Sequence, residues 1–189
     1  MRSYTTDAIV LKRWNLGEAD RVLVLYTASR GRVSALARGA RRIRSRLGGH
    51  VELFSLGNFT LSEGRTFDAV TAADLVRTYP GILVAPERVA AAHYVAEAVL
   101  RLTVEGDVVE RLFHCLSATF TQLDQATNVG PILTGFQVKL LTLLGHQPVL
   151  ERCVHCQTDQ LDPSKQEAGS TKQGMVGFDL IHGGIVCHE

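Results

Sequence analysis

Two groups of side chains in this sequence have the types and spacing to do chemistry. The first is a run of arginines: Arg21, Arg30, Arg32, Arg38, Arg41, Arg42, Arg44 and Arg46 lie between Arg21 and Val51 with no carboxylate among them. A guanidinium is planar, permanently charged and often bidentate toward phosphate. Arginines two or three residues apart in an extended loop would therefore match the repeating charge of a nucleic acid backbone. With no acidic partner close in sequence, the segment Gly39 to Gly49 is expected to bind a polyanion and not to be a merely solvated charge run. The second group is Cys153-x-x-Cys156 with Cys187, separated by 30 residues. That is the ligand order of a zinc ribbon, which needs four donors in a tetrahedron. Three are cysteines, and a further knuckle cysteine would fall just beyond Glu189, so His155, His182 or His188 is left as the substitute. Reduced thiols without a metal are one alternative. A redox pair is another, although such a pair opens a helix in a βαβ unit, whereas this one follows a helix and leads into a polar stretch.

Other residues invite plainer readings. Trp14, Tyr26, Phe54, Phe59 and Phe67 are candidates for stacking on bases, at about 1 to 3 kcal/mol each, but a small barrel needs most of its aromatics for its core. Trp14 stands out, since it follows Lys12 and Arg13 and precedes a turn. Cys115 and His93 fall on apolar helical stripes and are expected to be buried, and Glu97 with Arg101 is an ordinary i, i+4 pair. No phosphate-binding loop with Gly-Lys-Ser/Thr, nucleophile elbow or paired metal carboxylates is present, so nothing points to catalysis.

The elements that must position these groups fall into three stretches. Over residues 1–80, Thr5–Trp14, Arg21–Thr27, Arg32–Arg38, Val51–Ser62 and Thr66–Arg77 are rich in β-formers and separated by glycine turns, which predicts a five-stranded barrel. Over 81–150 the apolar period becomes helical: Pro86 opens one helix that ends by Gly106, Asp107 and Glu110 resemble a capping box for a second, and a third runs from near Pro131 to Gly145. Residues 151–189 carry the cysteines on either side of a polar stretch, Asp159 to Gln173, expected to be a mobile loop.

Composition sets the outer bounds. The chain has 189 residues, with 46% hydrophobic and 21% charged, which excludes disordered and collagen-like classes. Its net charge of +1 is divided unevenly. Residues 1–80 hold 13 basic and 7 acidic side chains while the remainder hold 7 and 12, an asymmetry that places a polyanion partner on the amino-terminal part. The start of the chain does not have the order of a signal peptide and no apolar run approaches membrane-spanning length, so a cytosolic protein is expected.

Several of these segments, taken in order, resemble the bacterial RecO family of recombination mediators. They are Thr5 to Leu11, Gly17 to Leu23, Thr27 to Gly31, Ala37 to Arg42 with Ser45 and Arg46, Phe136 to Gly145 with Pro148, then Cys153-x-x-Cys156 and Gly183-Gly184-Ile185-Val186-Cys187. The resemblance implies an α+β, two-domain protein: an N-terminal five-stranded OB-fold barrel, then an α-helical domain with a zinc-ribbon-like insert. It further implies binding of single- and double-stranded DNA, annealing of complementary strands coated by single-strand binding protein, and action with RecR to load RecA in the cytoplasm at the nucleoid, without enzymatic turnover. On this view Lys12, Arg13, Arg38, Arg41, Arg42, Arg44 and Arg46 are electrostatic DNA contacts, and Cys153, Cys156 and Cys187 are zinc ligands. Family members carry a fourth cysteine just after the position of Cys187 and then further helices, so a shortened chain is expected. The runner-up is a protein-interaction scaffold whose basic loop serves RNA or an acidic protein.

Overall fold

A computed structural model describes residues 2–43, 45, 47–157 and 175–187. The predicted loop at 159–173 lies outside them, as do Arg44, Arg46 and His188. Five strands, β1 (Ser3–Leu16), β2 (Asp20–Thr27), β3 (Gly31–Ala37), β4 (Leu56–Ser62) and β5 (Asp68–Arg77), close into a barrel in the order β1-β2-β3-β5-β4. All neighbours are antiparallel except β3 and β5, which run parallel through Ala35 and Leu36. This is the OB topology. Closure depends on β1, which pairs with β4 through Ser3 to Ile9 and with β2 through Ala8 to Leu16. A bulge between Val10 and Lys12 bends it from one pairing to the other. Inside the barrel Ala8, Val10, Leu23, Leu25, Ala35, Phe59, Leu61 and Val70 form one core, drawn from alternate positions along the strands.

Burial along β2 does not alternate. From Val22 to Thr27 every residue is buried, because the outward side of β1 and β2 is covered as well. Helices α2 (Pro86–Leu102) and α3 (Glu110–Gln125) pack on β1, and the Tyr26 hydroxyl donates to the carbonyl of Val109 at 3.3 Å. The segment between the two helices runs beside β3, where the Gly106 amide donates to the Arg32 carbonyl at 3.0 Å and the Ser34 amide to Glu105 Oε1 at 2.8 Å. Gly31 makes that approach possible. Its φ is +63°, and a Cβ there would collide with the Asp107 carbonyl.

The sequence places the fourth strand at Val51, but it begins at Leu56. Phe54 adopts a left-handed φ of +65°, which ends extended backbone and turns its ring outward under the helices. The ring lies 5.3 Å from that of Phe120 and 5.0 Å from His93, while the Phe54 amide donates to the Val10 carbonyl at 2.8 Å. His93 is therefore exposed at the edge of this aromatic contact and not buried, since the buried face of α2 is Ala91, Ala92, Val95, Ala96 and Val99. The capping box does not form: α3 starts at Glu110 with Val109 as its cap residue and no side-chain cap. Asp107 instead belongs to the segment packed against Gly31. A short helix, α1 (Pro80–Val84), precedes α2, and α4 (Gly130–Leu143) buries Phe136 and Leu140. Among the described residues no helix is long and apolar enough to cross a membrane.

The barrel and helices through Leu140 form one compact unit, and Leu141–Glu189 form a second. In the second, β6 (Met175–Asp179) and β7 (Gly184–Cys187) make an antiparallel hairpin. The chain at Val149 to Val154 lies along β7, with the Ile185 amide donating to the Val149 carbonyl and the Val154 amide to the Ile185 carbonyl at 3.0 and 2.9 Å. Gly184 has no room for a side chain against Val149 and Val154.

Candidate nucleic-acid interface and cysteine cluster

The basic loop, in its described residues 38–43 and 47–50, forms turns and bends and not the extended segment expected. Its backbone is fixed to the β1–β2 turn: the Arg41 amide donates to the Ala19 carbonyl at 2.9 Å, Arg41 Nη1 to the Gly17 carbonyl at 2.9 Å, and the Gly39 amide to Asp20 Oδ1 at 2.7 Å. Ala40 reaches into the barrel core and Leu47 packs against it, which anchors the loop from below. Arg38, Arg41 and Arg42 are exposed, and no ion pair joins Arg38 or Arg42 to a carboxylate among the described residues. Lys12 is also exposed.

Arg13 stands differently. Its Nη1 lies 2.5 Å from Glu52 Oε2, and Arg21 Nη1 lies 3.3 Å from Glu52 Oε1. Partial burial alone would raise the Glu52 carboxyl, but the hydrogen bonds and charges of Arg13 and Arg21 outweigh it and hold it below the usual carboxylate range. One carboxylate is thus shared by two arginines, of which Arg21 belongs to the run that lacks an acidic neighbour in sequence, and the trio keeps a net charge of about +1. Glu52 lies one residue past the carboxylate-free run, and only barrel closure brings it to Arg13 and Arg21.

The aromatics divide clearly. Tyr26, Phe54 and Phe59 are buried, Phe67 is half-buried, and Trp14 is 40% exposed. Helices α2 and α3 pack on β1, and the segment between them lies against the Tyr26 hydroxyl on β2 and against Arg32 and Ser34 on β3, so it covers part of the face on which OB-folds usually receive oligonucleotides. The end of the barrel that carries Trp14, the β1–β2 turn and the arginine loop is open, as is the outer side of β5 along Thr71, Ala72, Asp74 and Leu75.

In the second unit the three cysteine sulfurs converge. Cys187 Sγ lies 3.3 Å from Cys156 Sγ and 3.6 Å from Cys153 Sγ. Tetrahedral zinc at about 2.3 Å from sulfur separates its ligands by about 3.7 Å, so the donors sit at the spacing a metal would need. The electrostatics agree. Backbone amides of Cys156, Cys187 and His155 donate to Cys153 and lower its thiol to about 6. Hydrogen bonds to Cys156 and Cys153, and their charge, raise Cys187 to about 11. Three thiols in one place resist joint ionisation, and a bound cation would relieve that. His155 and His182 do not join the sulfurs: both turn to Asp179, forming a separate group.

A closed five-stranded OB barrel followed by a helical region and a cysteine turn defines the architectural class of the protein. Residues 1–79 match the family model for the recombination protein O N terminal part, and residues 84–180 match that for the C terminal part. The chain belongs to the RecO family. It is 40% identical over 187 residues to the DNA repair protein RecO of Pelotomaculum thermopropionicum, covering 99% of this chain and 68% of that relative. Identity is 37% over 155 residues to the RecO of Roseiflexus sp., covering 82% and 54%, and 33% over 189 residues to that of Desulforamulus reducens, covering 100% and 69%. The chain therefore spans about half to two thirds of the length of these relatives.

Proposed function

We propose that this chain is a DNA-binding recombination mediator that anneals complementary single strands and assists RecR in loading RecA during recombinational repair, with no catalytic turnover of its own. The observation that carries this reading is the exposed arginine loop folded onto the β1–β2 turn of an OB barrel. Arg38, Arg41 and Arg42, with Lys12 beside the barrel, would contact phosphates, and the neighbouring Arg44 and Arg46 would extend the same set. Trp14 would stack on an unpaired base at the edge of that surface. Arg13 would act chiefly by holding Glu52. Neutralising two strands at once lowers their mutual repulsion while leaving base edges free to pair, which is what annealing requires. The relatives named DNA repair protein RecO support the repair role.

Cys153, Cys156 and Cys187 would hold a zinc ion with a fourth donor. The metal would supply no chemistry beyond tying the cysteine turn to β7. Partners on this reading are single- and double-stranded DNA, RecR and single-strand binding protein, with RecA reached indirectly at the nucleoid. The test is RecA loading on gapped DNA coated with single-strand binding protein. With RecR present, this chain should shorten the lag in RecA ATP hydrolysis. An unchanged lag, with DNA binding intact, would confine the chain to strand binding and annealing. Absence of DNA binding would favour a scaffold for RNA or an acidic protein.

A further inference from the structure

Beside the cysteine cluster lies a second convergence of metal-binding side chains, drawn from two different parts of the chain. His155 comes from the Cys153-x-x-Cys156 turn, while Asp179 and His182 come from the end of β6 and the hairpin turn that follows. Asp179 Oδ2 lies 2.8 Å from His155 Nε2 and 2.7 Å from His182 Nδ1, and the three donor atoms all fall within 4.8 Å of one another.

We propose that His155 Nε2, His182 Nδ1 and Asp179 Oδ2 form a binding site for a second divalent cation of the zinc class, distinct from the three-cysteine site and lacking sulfur. Two imidazoles and one carboxylate make a donor set of borderline softness, suited to zinc, cobalt or nickel and poorly suited to calcium or magnesium. A first-row ion held at about 2.0 to 2.2 Å separates tetrahedral donors by about 3.3 Å, so binding needs the two N···O distances to open by roughly half an ångström. Half-exposed imidazoles can make that adjustment: the His155 and His182 side chains are 54% and 61% accessible.

The carboxylate is already oriented. Its other oxygen, Oδ1, accepts the amides of Ile181 and His182 at 2.7 and 3.1 Å, which turns Oδ2 toward the two rings. This is the outer support that holds metal-binding carboxylates in place. Among the described residues no lysine or arginine pairs with Asp179. Without metal, the two rings must each present N–H to the shared oxygen. With metal, each neutral ring carries its proton on its other nitrogen, His155 on Nδ1 and His182 on Nε2, and donates a lone pair instead. Three protein donors leave at least one position to water. The ion would link the cysteine turn to the hairpin turn independently of the thiolates.

The test uses tag-free full chain and cobalt(II) as the probe, followed by calorimetry and absorbance together. Wild type should bind one equivalent that adds no thiolate-to-cobalt charge-transfer intensity, besides any that does. His155→Gln with His182→Gln should lose that equivalent and retain the thiolate band, which also reports that the segment stays folded. Should the double variant lose the thiolate band as well, Asp179→Asn decides: it should weaken the sulfur-free equivalent at least tenfold. Absence of a sulfur-free equivalent in wild type, or unchanged affinity for it in either variant, overturns the site.

Discussion

Arg38 and Arg42 allow a quantitative test of the proposed DNA contact surface, because both are exposed on the anchored loop and neither has a carboxylate partner among the described residues. Replacing both by alanine removes the two proposed phosphate contacts while leaving the Arg41 bond to Gly17 that holds the loop. Each contact contributes about 0.7 to the slope of log K against log salt on a single strand and about 0.9 on duplex. The double variant should therefore flatten the slope by about 1.4 on single strands and about 1.8 on duplex. At 0.15 M salt the same contribution corresponds to binding weaker by about 14-fold on single strands and about 30-fold on duplex. Arg13→Ala is the internal control: its charge is already answered by Glu52, so its slope should stay within about 0.3 of wild type. Fluorescence anisotropy of a labelled oligonucleotide between 0.05 and 0.3 M salt, with roughly even steps, measures all three proteins. An unchanged slope in Arg38→Ala/Arg42→Ala, or an equal loss in Arg13→Ala, would refute the assignment of the loop.

Two further predictions concern the scaffold that holds this surface. Gly31→Ala imposes a left-handed φ on a side-chain-bearing residue and drives its Cβ into the Asp107 carbonyl, so it should cost about 3 kcal/mol and lower the melting temperature by roughly 10 °C in a thermal scan. A shift of under about 2 °C would mean that the segment beside β3 is not packed as described. Glu52 has a folded-state carboxyl below its ordinary value, so its stabilising effect is present at neutral pH and is lost as pH falls through the folded value. Glu52→Gln should be less stable than wild type at pH 7, and the gap in urea midpoint should close toward pH 3. Parallel curves across that range would show that Arg13 and Arg21 do not depend on this carboxylate.

Much of the barrel is legible in the sequence because strand signals are local. Val, Leu and Thr runs divided by Gly17, Gly31, the Gly39 to Gly49 loop and Gly64 mark five strands, whereas the burial of Val22 to Thr27 on both sides of its strand comes from the helical part and not from these strand signals. What escapes local reading depends on closure. Glu52 meets Arg13 and Arg21 only when β1, β2 and the turn before β4 are assembled, so the charge of these two strand arginines looks freer in sequence than it is. Phe54 breaks its predicted strand for a tertiary reason, its ring being needed against Phe120. The capping box at Asp107 and Glu110 has the right spacing, yet the backbone there is committed to Gly31 and Arg32. The cysteine spacing announces a metal knuckle, whereas His155 and His182 are visible only as spare ligands until Asp179 is seen between them. That carboxylate follows Phe178 at the head of a hairpin turn, a position with no sequence signature for metal binding.

Annealing of two complementary labelled oligonucleotides, followed by energy transfer with this chain or with Arg38→Ala/Arg42→Ala, tests the mediator reading most directly. Wild type should accelerate pairing well above the spontaneous rate, and the variant should lose most of that acceleration at 0.15 M salt while spontaneous pairing is unaffected. Tight binding of the strands by wild type with no gain in pairing rate would contradict it.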